Sequence, residues 1–236
     1  MTVEARELQV GGEVITYALK RTERKTLGIS VTPEGNVQVT APQHANDEEI
    51  EIRIRKRAMW ILDKIDEAVL RAPPLPERLY LPGETHLYLG RQYRLRVEPK
   101  TMGTRREEDR IVVGGVSADE PSRIRNRLYR WYESEGNRVF SERLAQCLRP
   151  FGPSVKRPKL KIAAMDRRWG SYVADSHSLI LNHVLVQVAV PLIDYVITHE
   201  LCHIGLPNHG PEFVRLLTRI MPDHAQRKVK LESSLT

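Results

Sequence analysis

The sequence of 236 residues is poor in cysteine and lacks long apolar runs. Its longest apolar stretch, residues 184–192, is interrupted by Gln187 and is far shorter than the roughly 20 residues that a membrane-spanning helix needs. The first ten residues contain two acidic side chains and no apolar segment typical of a secretory signal. Cys147 and Cys202 have no paired spacing, which argues against a disulfide framework. We therefore expect a cytoplasmic protein with no membrane partner.

No internal repeat or low-complexity segment is present, and the composition is that of a globular protein. Hydrophobic residues make up 41% of the chain and charged residues 28%, so a packed core is expected. The length allows one large domain or two small ones. The irregular sequence over residues 100–120 predicts a boundary there, between a β-rich N-terminal region, residues 1–115, and a catalytic domain, residues 116–236.

The net charge of +7 comes from one segment. Residues 123–161 contain eleven lysines and arginines but only three glutamates. Such an excess permits an anionic partner without requiring one. The favoured interpretation is a solvated arginine-rich helix face, and the alternative is a site for DNA or RNA.

Hydrophobic periodicity predicts an α+β fold. Alternating residues from 8 to 39 predict an antiparallel meander, and a helical pattern covers residues 50–69 with Asp47 as its N-cap. Strands are predicted near residues 85–89, 92–97 and 110–113. In the second half the patterns predict a long helix over residues 121–148, strands at 159–163 and 179–181, a helix from Pro191, and a last helix from Pro211 to Met221.

Residues 199–203 read His-Glu-Leu-Cys-His, an HExxH motif. A helix turns about 100° per residue, so His199 and His203 project from one face about one turn apart, where both imidazoles can reach one metal ion. Glu200 lies beside that pair, within reach of a metal-bound water. A catalytic zinc takes three protein ligands and keeps one open position. His209, which follows a helix-breaking segment containing Gly205 and Pro207, is the best candidate for the third ligand.

These residues resemble the YgjP-like predicted metallopeptidases, relatives of the minimal gluzincins that include SprT-type and WLM-type proteases. The resemblance covers nearly the whole chain and is most specific in six stretches, which run in the family's order: Arg168-Trp169-Gly170-Ser171, Leu179-Ile180-Leu181-Asn182, Ile193-Asp194-Tyr195-Val196, His199-Glu200-Leu201-Cys202-His203, Asn208-His209-Gly210-Pro211-Glu212-Phe213 and Met221-Pro222-Asp223. The sequence departs from the family pattern at Tyr172, where cysteine is expected, and at His183, where an aromatic residue is commoner.

The resemblance implies a β-rich N-terminal half with one helix, followed by a minimal zincin-like α+β catalytic domain with an active-site helix. It also implies one Zn²⁺ per chain held by His199, His203 and His209, with Glu200 as the catalytic base. The expected substrate is a protein or a peptide. The natural substrate, its cleavage preference and the oligomeric state do not follow from the sequence.

Several neighbouring residues have two interpretations. Arg168 and Tyr195 are candidates for binding substrate or an oxyanion, but Arg168 could instead pair with Asp166 or Asp194, and Tyr195 could pack in the core. Trp169 is either a cleft residue or a core anchor, Cys202 is interpreted as a packing residue, and Glu212 could bond to a zinc-bound imidazole. The remaining five histidines lack partners at ligand spacing and are interpreted as surface or structural residues: His44, His86, His177, His183 and His224.

The sequence thus predicts a zinc-dependent metallopeptidase that hydrolyses peptide bonds with a metal-activated water and a glutamate general base. Two alternatives are a nucleic-acid-associated protease, which would use the basic segment 123–161, and a non-catalytic binding module stabilised by zinc. Glu200 argues against the second, because a purely structural zinc site has no use for a base beside its ligands.

Overall fold

The computed structural model describes residues 3–10, 13–69, 78–165 and 168–234. Within these residues the chain forms strands in three small sheets together with α-helices, so the predicted α+β class is confirmed. The chain divides into two compact units, Met1–Arg71 with Cys202–Pro222, and Ala72–Leu201 with Asp223–Thr236. No helix in the described part is both long enough and apolar enough to cross a membrane. The predicted catalytic-domain boundary near residue 115 stays a prediction.

The strands are β1 (Val3–Val10), β2 (Glu13–Thr22), β3 (Gly28–Val31), β4 (Val37–Pro42), β5 (Thr85–Tyr88), β6 (Arg91–Glu98), β7 (Thr104–Glu107), β8 (Arg110–Gly114), β9 (Lys159–Ala163), β10 (Gly170–Val173) and β11 (Ser178–Asn182). The helices are α1 (Asp47–Lys56), α2 (Ala58–Val69), α3 (Pro121–Leu148), α4 (Val190–Cys202), α5 (Pro211–Ile220) and α6 (His224–Glu232). Short 3-10 turns occur at Arg149–Phe151 and His183–Gln187.

The sheet of the first unit has the order β1-β2-β4-β3. The predicted meander is wrong in one respect, because β2 and β4 run parallel while the other two pairs are antiparallel. The burial of the strands explains the order. Val37, Val39 and Ala41 of β4 are buried, whereas no residue of β3 is fully buried, and the more apolar strand occupies the interior position.

The predicted single helix over residues 50–69 is two helices. The amide of Arg57 donates to the carbonyl of Ile54 at 3.0 Å, a 3-10-type bond that interrupts the α-helical ladder between α1 and α2. The N-cap is Asn46 and not Asp47. The Asn46 side chain accepts from the amide of Glu49 at 2.8 Å, and the Glu49 carboxylate accepts from the amide of Asn46 at 3.4 Å, which forms a capping box.

A single core joins the sheet of the first unit to α1 and α2. It contains alternate residues of β2, including Ile15 and Leu19, and the apolar face of the two helices. Ile54 and Ile61 are fully buried in it. This packing fixes α2 against the sheet, and α2 carries a residue of the functional site on another of its faces.

The second unit contains a sheet of order β5-β6-β8-β7 and a sheet of order β10-β11-β9. Strand β7 was not predicted: residues 104–114 form a hairpin of β7 and β8 rather than an irregular connection. In the smaller sheet, β11 lies between β10, which is antiparallel to it, and β9, which is parallel. Strand β10 is therefore an outer strand of the described sheet.

The long helix α3 begins and ends where the sequence predicts, at Pro121 and Leu148. Ile124, Leu128, Phe140 and Leu144 of its apolar face are buried, whereas Trp131 is only half-buried. An ion pair connects α3 to α4, since the guanidinium of Arg143 donates two hydrogen bonds to Asp194, both at 2.7 Å. This bidentate contact holds α4 in place from its outer side.

The prediction that the helix starting at Pro211 is the last one is wrong. After Met221 the chain turns and forms α6, which contains mostly polar residues and little apolar periodicity. Leu231 is fully buried and anchors α6, while Asp223 and Arg227 form an ion pair at 2.9 Å one turn apart.

Candidate metal centre

The active-site helix predicted from the sequence is α4, which carries His199 and Glu200 in its last turn. Both side chains are buried, with 1% and 3% of their surface exposed. His203 comes directly after the helix ends at Cys202 and is half-buried. The core side of α4 is apolar, since Val196, Ile197 and Leu201 are all buried. The helix therefore brings two polar groups into an otherwise apolar interior.

The turn after α4 fixes the orientation of the His203 ring. The amide of Leu206 donates to the carbonyl of Cys202 at 3.2 Å, and the carbonyl of Leu206 lies 3.1 Å from Nδ1 of His203. A carbonyl oxygen only accepts hydrogen bonds, so Nδ1 carries the proton and Nε2 keeps the lone pair. Nε2 is thereby the nitrogen of His203 that can bind a metal ion.

The predicted third histidine lies with the other two. His199, His203 and His209 each offer one ligand atom, and these atoms all lie within 4.8 Å of one another. The spacing of the HExxH motif and the return of the chain at His209 together explain this cluster. Three imidazoles form the donor set of a zinc or similar transition-metal ion, and a fourth position is left for a water or a substrate. The residues fit a metal ion of that class.

An aromatic residue of α5 supports two of the three imidazoles. The ring of Phe213 lies 4.8 Å from the ring of His203 and 4.6 Å from that of His209, measured between centroids. The two imidazoles are themselves 4.7 Å apart and nearly perpendicular. Phe213 is only 2% exposed. It provides an apolar wall that restricts the rings and excludes water from one side of the cluster.

A carboxylate that the sequence does not single out contacts His209. Oδ1 of Asp63, on α2, accepts a hydrogen bond from the backbone amide of His209 at 3.0 Å and lies 2.7 Å from Nδ1 of the same residue. The side chains of His209 and Asp63 are 13% and 38% exposed. Asp63 precedes His209 by 146 residues, so no local motif indicates the contact.

Glu200 is held by the backbone of β10. The amide of Tyr172 donates to Oε2 of Glu200 at 2.8 Å. Burial raises the pKa of Glu200 to about 7, while the Tyr172 amide and the positive charge of Arg168 act in the opposite direction. A carboxyl group with a pKa near neutrality is suited to accept and return a proton.

Strand β10 approaches α4 closely because residue 170 has no side chain. A Cβ atom at Gly170 would lie 3.0 Å from Cδ2 of Leu181, 3.1 Å from Cγ1 of Val196 and 3.3 Å from Cγ of Glu200. These distances are shorter than ordinary van der Waals contacts, and Leu181 and Val196 are buried. Glycine at this position therefore allows the amide of Tyr172 to reach the Glu200 carboxylate.

Comparison with known proteins agrees with this geometry. The family model described as YgjP-like, metallopeptidase domain, matches residues 25–234. The chain belongs to this family. No match was found among curated proteins. Among solved structures, one match is the crystal structure of the metallopeptidase zymogen of Methanocaldococcus jannaschii jannalysin, with 22% identity and a TM-score of 0.37. That match covers 41% of this chain and 97% of the other, and at this TM-score it carries no functional argument.

Membership of the YgjP-like family supports the predicted chemistry at the level of a metal-dependent peptidase. The match extends from residue 25 through the sheet of the first unit to α6, so the β-rich residues are part of the family domain. This explains why the resemblance in the sequence covers nearly the whole chain.

Arg168 and Tyr195, the two residues proposed near the substrate, have different environments. Arg168 is exposed, and its charge lowers the pKa of Glu200. One alternative partner, Asp194, is already bonded to Arg143, and the other, Asp166, lies outside the described residues. Tyr195 is 1% exposed and its ring lies 6.0 Å from that of His199 in an edge-on arrangement, which favours a packing role.

For three other candidate residues, the structure favours the interpretation without a direct role in the site. Trp169 is fully buried, as a core anchor would be, and Cys202 is also fully buried. Glu212 is exposed and lies 3.7 Å from Arg215 on the same helix. The carboxylate found beside a histidine of the cluster is that of Asp63 and not that of Glu212.

The two departures from the YgjP-like pattern have structural explanations. The group of Tyr172 that contacts Glu200 is its backbone amide, so the contact does not require a particular side chain. The Tyr172 hydroxyl lies 2.7 Å from Nδ1 of His177 instead. The ring of His183 packs against that of Tyr129, tilted by 45° with 5.0 Å between centroids, and an aromatic residue could provide the same packing.

The basic segment forms part of an open cleft in the second unit. Its walls include Gly103 and Thr104 at the start of β7 and six residues of α3: Arg123, Asn126, Arg127, Arg130, Trp131 and Ser134. Its volume is about 530 Å³. Two of the arginines have protein partners, since Arg123 pairs with Glu120 and Arg127 donates to the carbonyl of Gly115 at 3.4 Å. Arg125 and Arg130 are exposed.

Proposed function

We propose that this protein is a zinc-dependent peptidase in which His199, His203 and His209 bind one Zn²⁺ per chain and Glu200 is the general base. The observation that carries the proposal is the cluster of three ligand atoms within 4.8 Å of one another on the helix and turn that also carry a buried glutamate. Membership of a metallopeptidase family supports it.

Zinc, when bound, would supply a Lewis acid that lowers the pKa of a bound water to about 7. Glu200 accepts a proton from the attacking water and then donates it to the leaving amine. Its pKa near 7 allows both transfers at neutral pH. Arg168 is the better candidate to stabilise the developing oxyanion, because it is exposed and close enough to act on the charge of Glu200.

An extended substrate can add to the outer edge of β10. The predicted strand β11 has neighbours on both sides, so β10 is the strand of this pair with an edge for a further strand. The amide of Tyr172 points away from β11, towards Glu200. A peptide paired along this edge would place its scissile bond near the general base. This arrangement supports cleavage within a chain and therefore an endopeptidase.

The direct experiment is proteolysis of an unfolded protein mixture by the purified protein. We expect cleavage that is lost after removal of metal with a chelator and restored by stoichiometric zinc. A protein that binds zinc but cleaves no peptide or protein would support the non-catalytic module instead. Metal analysis on the same sample distinguishes this result from failure to bind zinc.

A second candidate function is a nucleic-acid-associated protease, favoured by the cleft along α3. Its wall contains three arginines, the half-buried Trp131 and no acidic residue. Arginine with a partly exposed aromatic ring is a combination that can bind the phosphates and bases of single-stranded nucleic acid. The partners of Arg123 and Arg127 favour the solvated-face interpretation.

A cytoplasmic location also belongs to the proposal, and the two buried free cysteines agree with it.

A further inference from the structure

We infer that Asp63 is a positioning residue for the metal site: it fixes His209 in the tautomer that presents Nε2 to the metal ion. The inference rests on the proposed function, because it assumes that His209 is a ligand. Asp63 lies on α2, in the N-terminal β-rich region to which the sequence assigned no part in the site. That region would therefore contribute to metal binding through its contact with His209.

The direction of the hydrogen bond follows from the chemistry of its two partners. Oδ1 of Asp63 lies 2.7 Å from Nδ1 of His209. A carboxylate only accepts hydrogen bonds, so Nδ1 must donate. In the neutral ring this leaves the lone pair on Nε2, and the negative charge of Asp63 makes that nitrogen a stronger ligand. The bond from the His209 backbone amide to the same oxygen, at 3.0 Å, fixes the main chain as well.

His209 needs an external support because no regular structure holds it. His199 lies within α4, and the ring of His203 is oriented by the nearby carbonyl of Leu206. His209 follows a segment without helix or strand and precedes Gly210, the N-cap of α5. An unsupported imidazole in such a segment would lose conformational entropy on binding a metal ion. Asp63 removes part of that cost by holding both the backbone and the ring.

Helix α2 is able to provide this support because its other face is anchored. Ala58 and Ile61 are packed in the core of the first unit. A second contact from α2 reaches the same segment, since a Cβ at Gly210 would lie 3.2 Å from Cε of Met59. Two adjacent residues of the segment, His209 and Gly210, are thus placed against two residues of one rigid helix.

Three variants test the inference. Asp63→Ala removes the acceptor and the charge, whereas Asp63→Asn removes the charge and keeps an acceptor oxygen. Glu212→Gln is the matched control, because it removes an exposed carboxylate three residues from His209 that lies 3.7 Å from Arg215. The readouts are NMR of the imidazole nitrogens of His209 in the metal-free protein, the affinity for Zn²⁺ in competition with a chelator, and the melting temperature without metal.

In the metal-free wild type above neutral pH, we expect the proton of the His209 ring on Nδ1, and a mixture of tautomers in Asp63→Ala. Zinc affinity should fall roughly 10–100-fold in Asp63→Ala, less in Asp63→Asn, and not measurably in Glu212→Gln. A proton on Nε2 in the wild type would overturn the inference. So would unchanged zinc affinity in Asp63→Ala, or a loss of affinity matched by an equal loss in Glu212→Gln.

Metal-free melting temperatures separate positioning from folding. A positioning role predicts that Asp63→Asn melts close to the wild type without metal and gains less stability when zinc is added. The opposite result would be a much lower melting temperature of metal-free Asp63→Asn, together with an unchanged zinc affinity of the folded protein. In that case Asp63 would have a structural role only. A wild type that binds no zinc would refute the proposed function, whereas the NMR result would still decide whether Asp63 sets the tautomer.

Discussion

The amide of Tyr172 donates a hydrogen bond to the carboxylate of Glu200 at 2.8 Å, joining the outer strand β10 to the helix α4. The contact orients one carboxylate oxygen, and in the proposed mechanism the other oxygen would take part in the proton transfer. Because the donor is a main-chain group, the orientation of Glu200 depends on how closely the strand approaches the helix. Glu200 and Gly170, which allows that approach, are therefore the first two residues to test.

Glu200→Gln should abolish most of the activity and leave the fold intact. Glutamine has nearly the same shape and can still accept the bond from Tyr172, but it cannot take a proton from water. Loss of a general base typically costs about 10²–10⁴ in rate, so kcat should fall by roughly two or more decades while zinc content stays unchanged. Glu133→Gln, at an exposed position on α3, is the control. Near-wild-type turnover in Glu200→Gln would rule out the mechanism.

Gly170→Ala should destabilise the protein and reduce its activity. The new methyl group would lie 3.0–3.3 Å from Leu181, Val196 and Glu200, all of which are buried. Such overpacking costs about 1–3 kcal/mol of unfolding free energy, measured by denaturant titration. The matched control is Gly205→Ala, since a Cβ there has no atom within 4 Å. Equal stability of the two variants would show that β10 can move away from α4 at little cost.

Sequence patterns predict the parts of this site that depend on local geometry. His199 and His203 could be paired from the helical period alone, and the ends of α3 could be placed from its N-terminal proline and its apolar spacing. In contrast, Asp63 is 146 residues from its partner, and the Tyr172 contact uses a backbone amide that any residue but proline would provide. Neither contact has a sequence motif.

The errors in the predicted fold have the same origin, because they concern contacts between residues that are far apart in the sequence. Alternating residues in β2 and β4 show which side of each strand is buried, but they do not show which strands are neighbours. The parallel pairing of β2 with β4 therefore could not be predicted. Helix α6 was missed because its sequence is mostly polar and its packing depends on Leu231 and on a contact from Arg227 to the carbonyl of Pro191 at 3.0 Å.

His209→Ala should lower zinc affinity more than any change at Asp63. It removes one of the three proposed protein ligands, so the loss should exceed the roughly 10–100-fold that follows removal of a ligand's hydrogen-bond partner. His44→Ala, at an exposed position far along the sequence, controls for the loss of a histidine. Affinities are measured by competition with a chelator. Full retention of zinc by His209→Ala would mean that the third ligand is another residue.

The two cysteines should be unreactive in the folded protein. Burial, with the nearby charge of Asp194, raises the pKa of Cys147 to about 11, and Cys202 is fully buried. The thiolate is the reactive form, so at neutral pH almost no Cys147 is available to a thiol reagent. Labelling should be slow in native buffer, become faster as pH rises towards 11, and reach two thiols per chain at once in denaturant. Rapid labelling of Cys147 at neutral pH would contradict the described packing of α3 against α4.

The basic cleft along α3 can be tested by the salt dependence of nucleic-acid binding. Arg123, Arg125, Arg127 and Arg130 lie within little more than two turns of α3, and neutralising about four phosphates would make log K fall with log salt at a slope of about −3 to −4. Because Arg123 and Arg127 already have protein partners and Arg125 is not among the residues that line the cleft, Arg130 should contribute most.

Replacing the four arginines with glutamine should flatten the slope while zinc content and the cleavage rate of a free peptide stay unchanged. The control is the double variant Arg215→Gln, Arg219→Gln, which removes exposed charges from α5. Stacking on Trp131 adds a second signature, because Trp131→Ala should weaken binding of a single strand by about 1–3 kcal/mol with little effect on the salt slope. Absence of binding to single-stranded or duplex nucleic acid at about 50 mM salt would identify the segment as a solvated helix face, since electrostatic binding is strong under that condition.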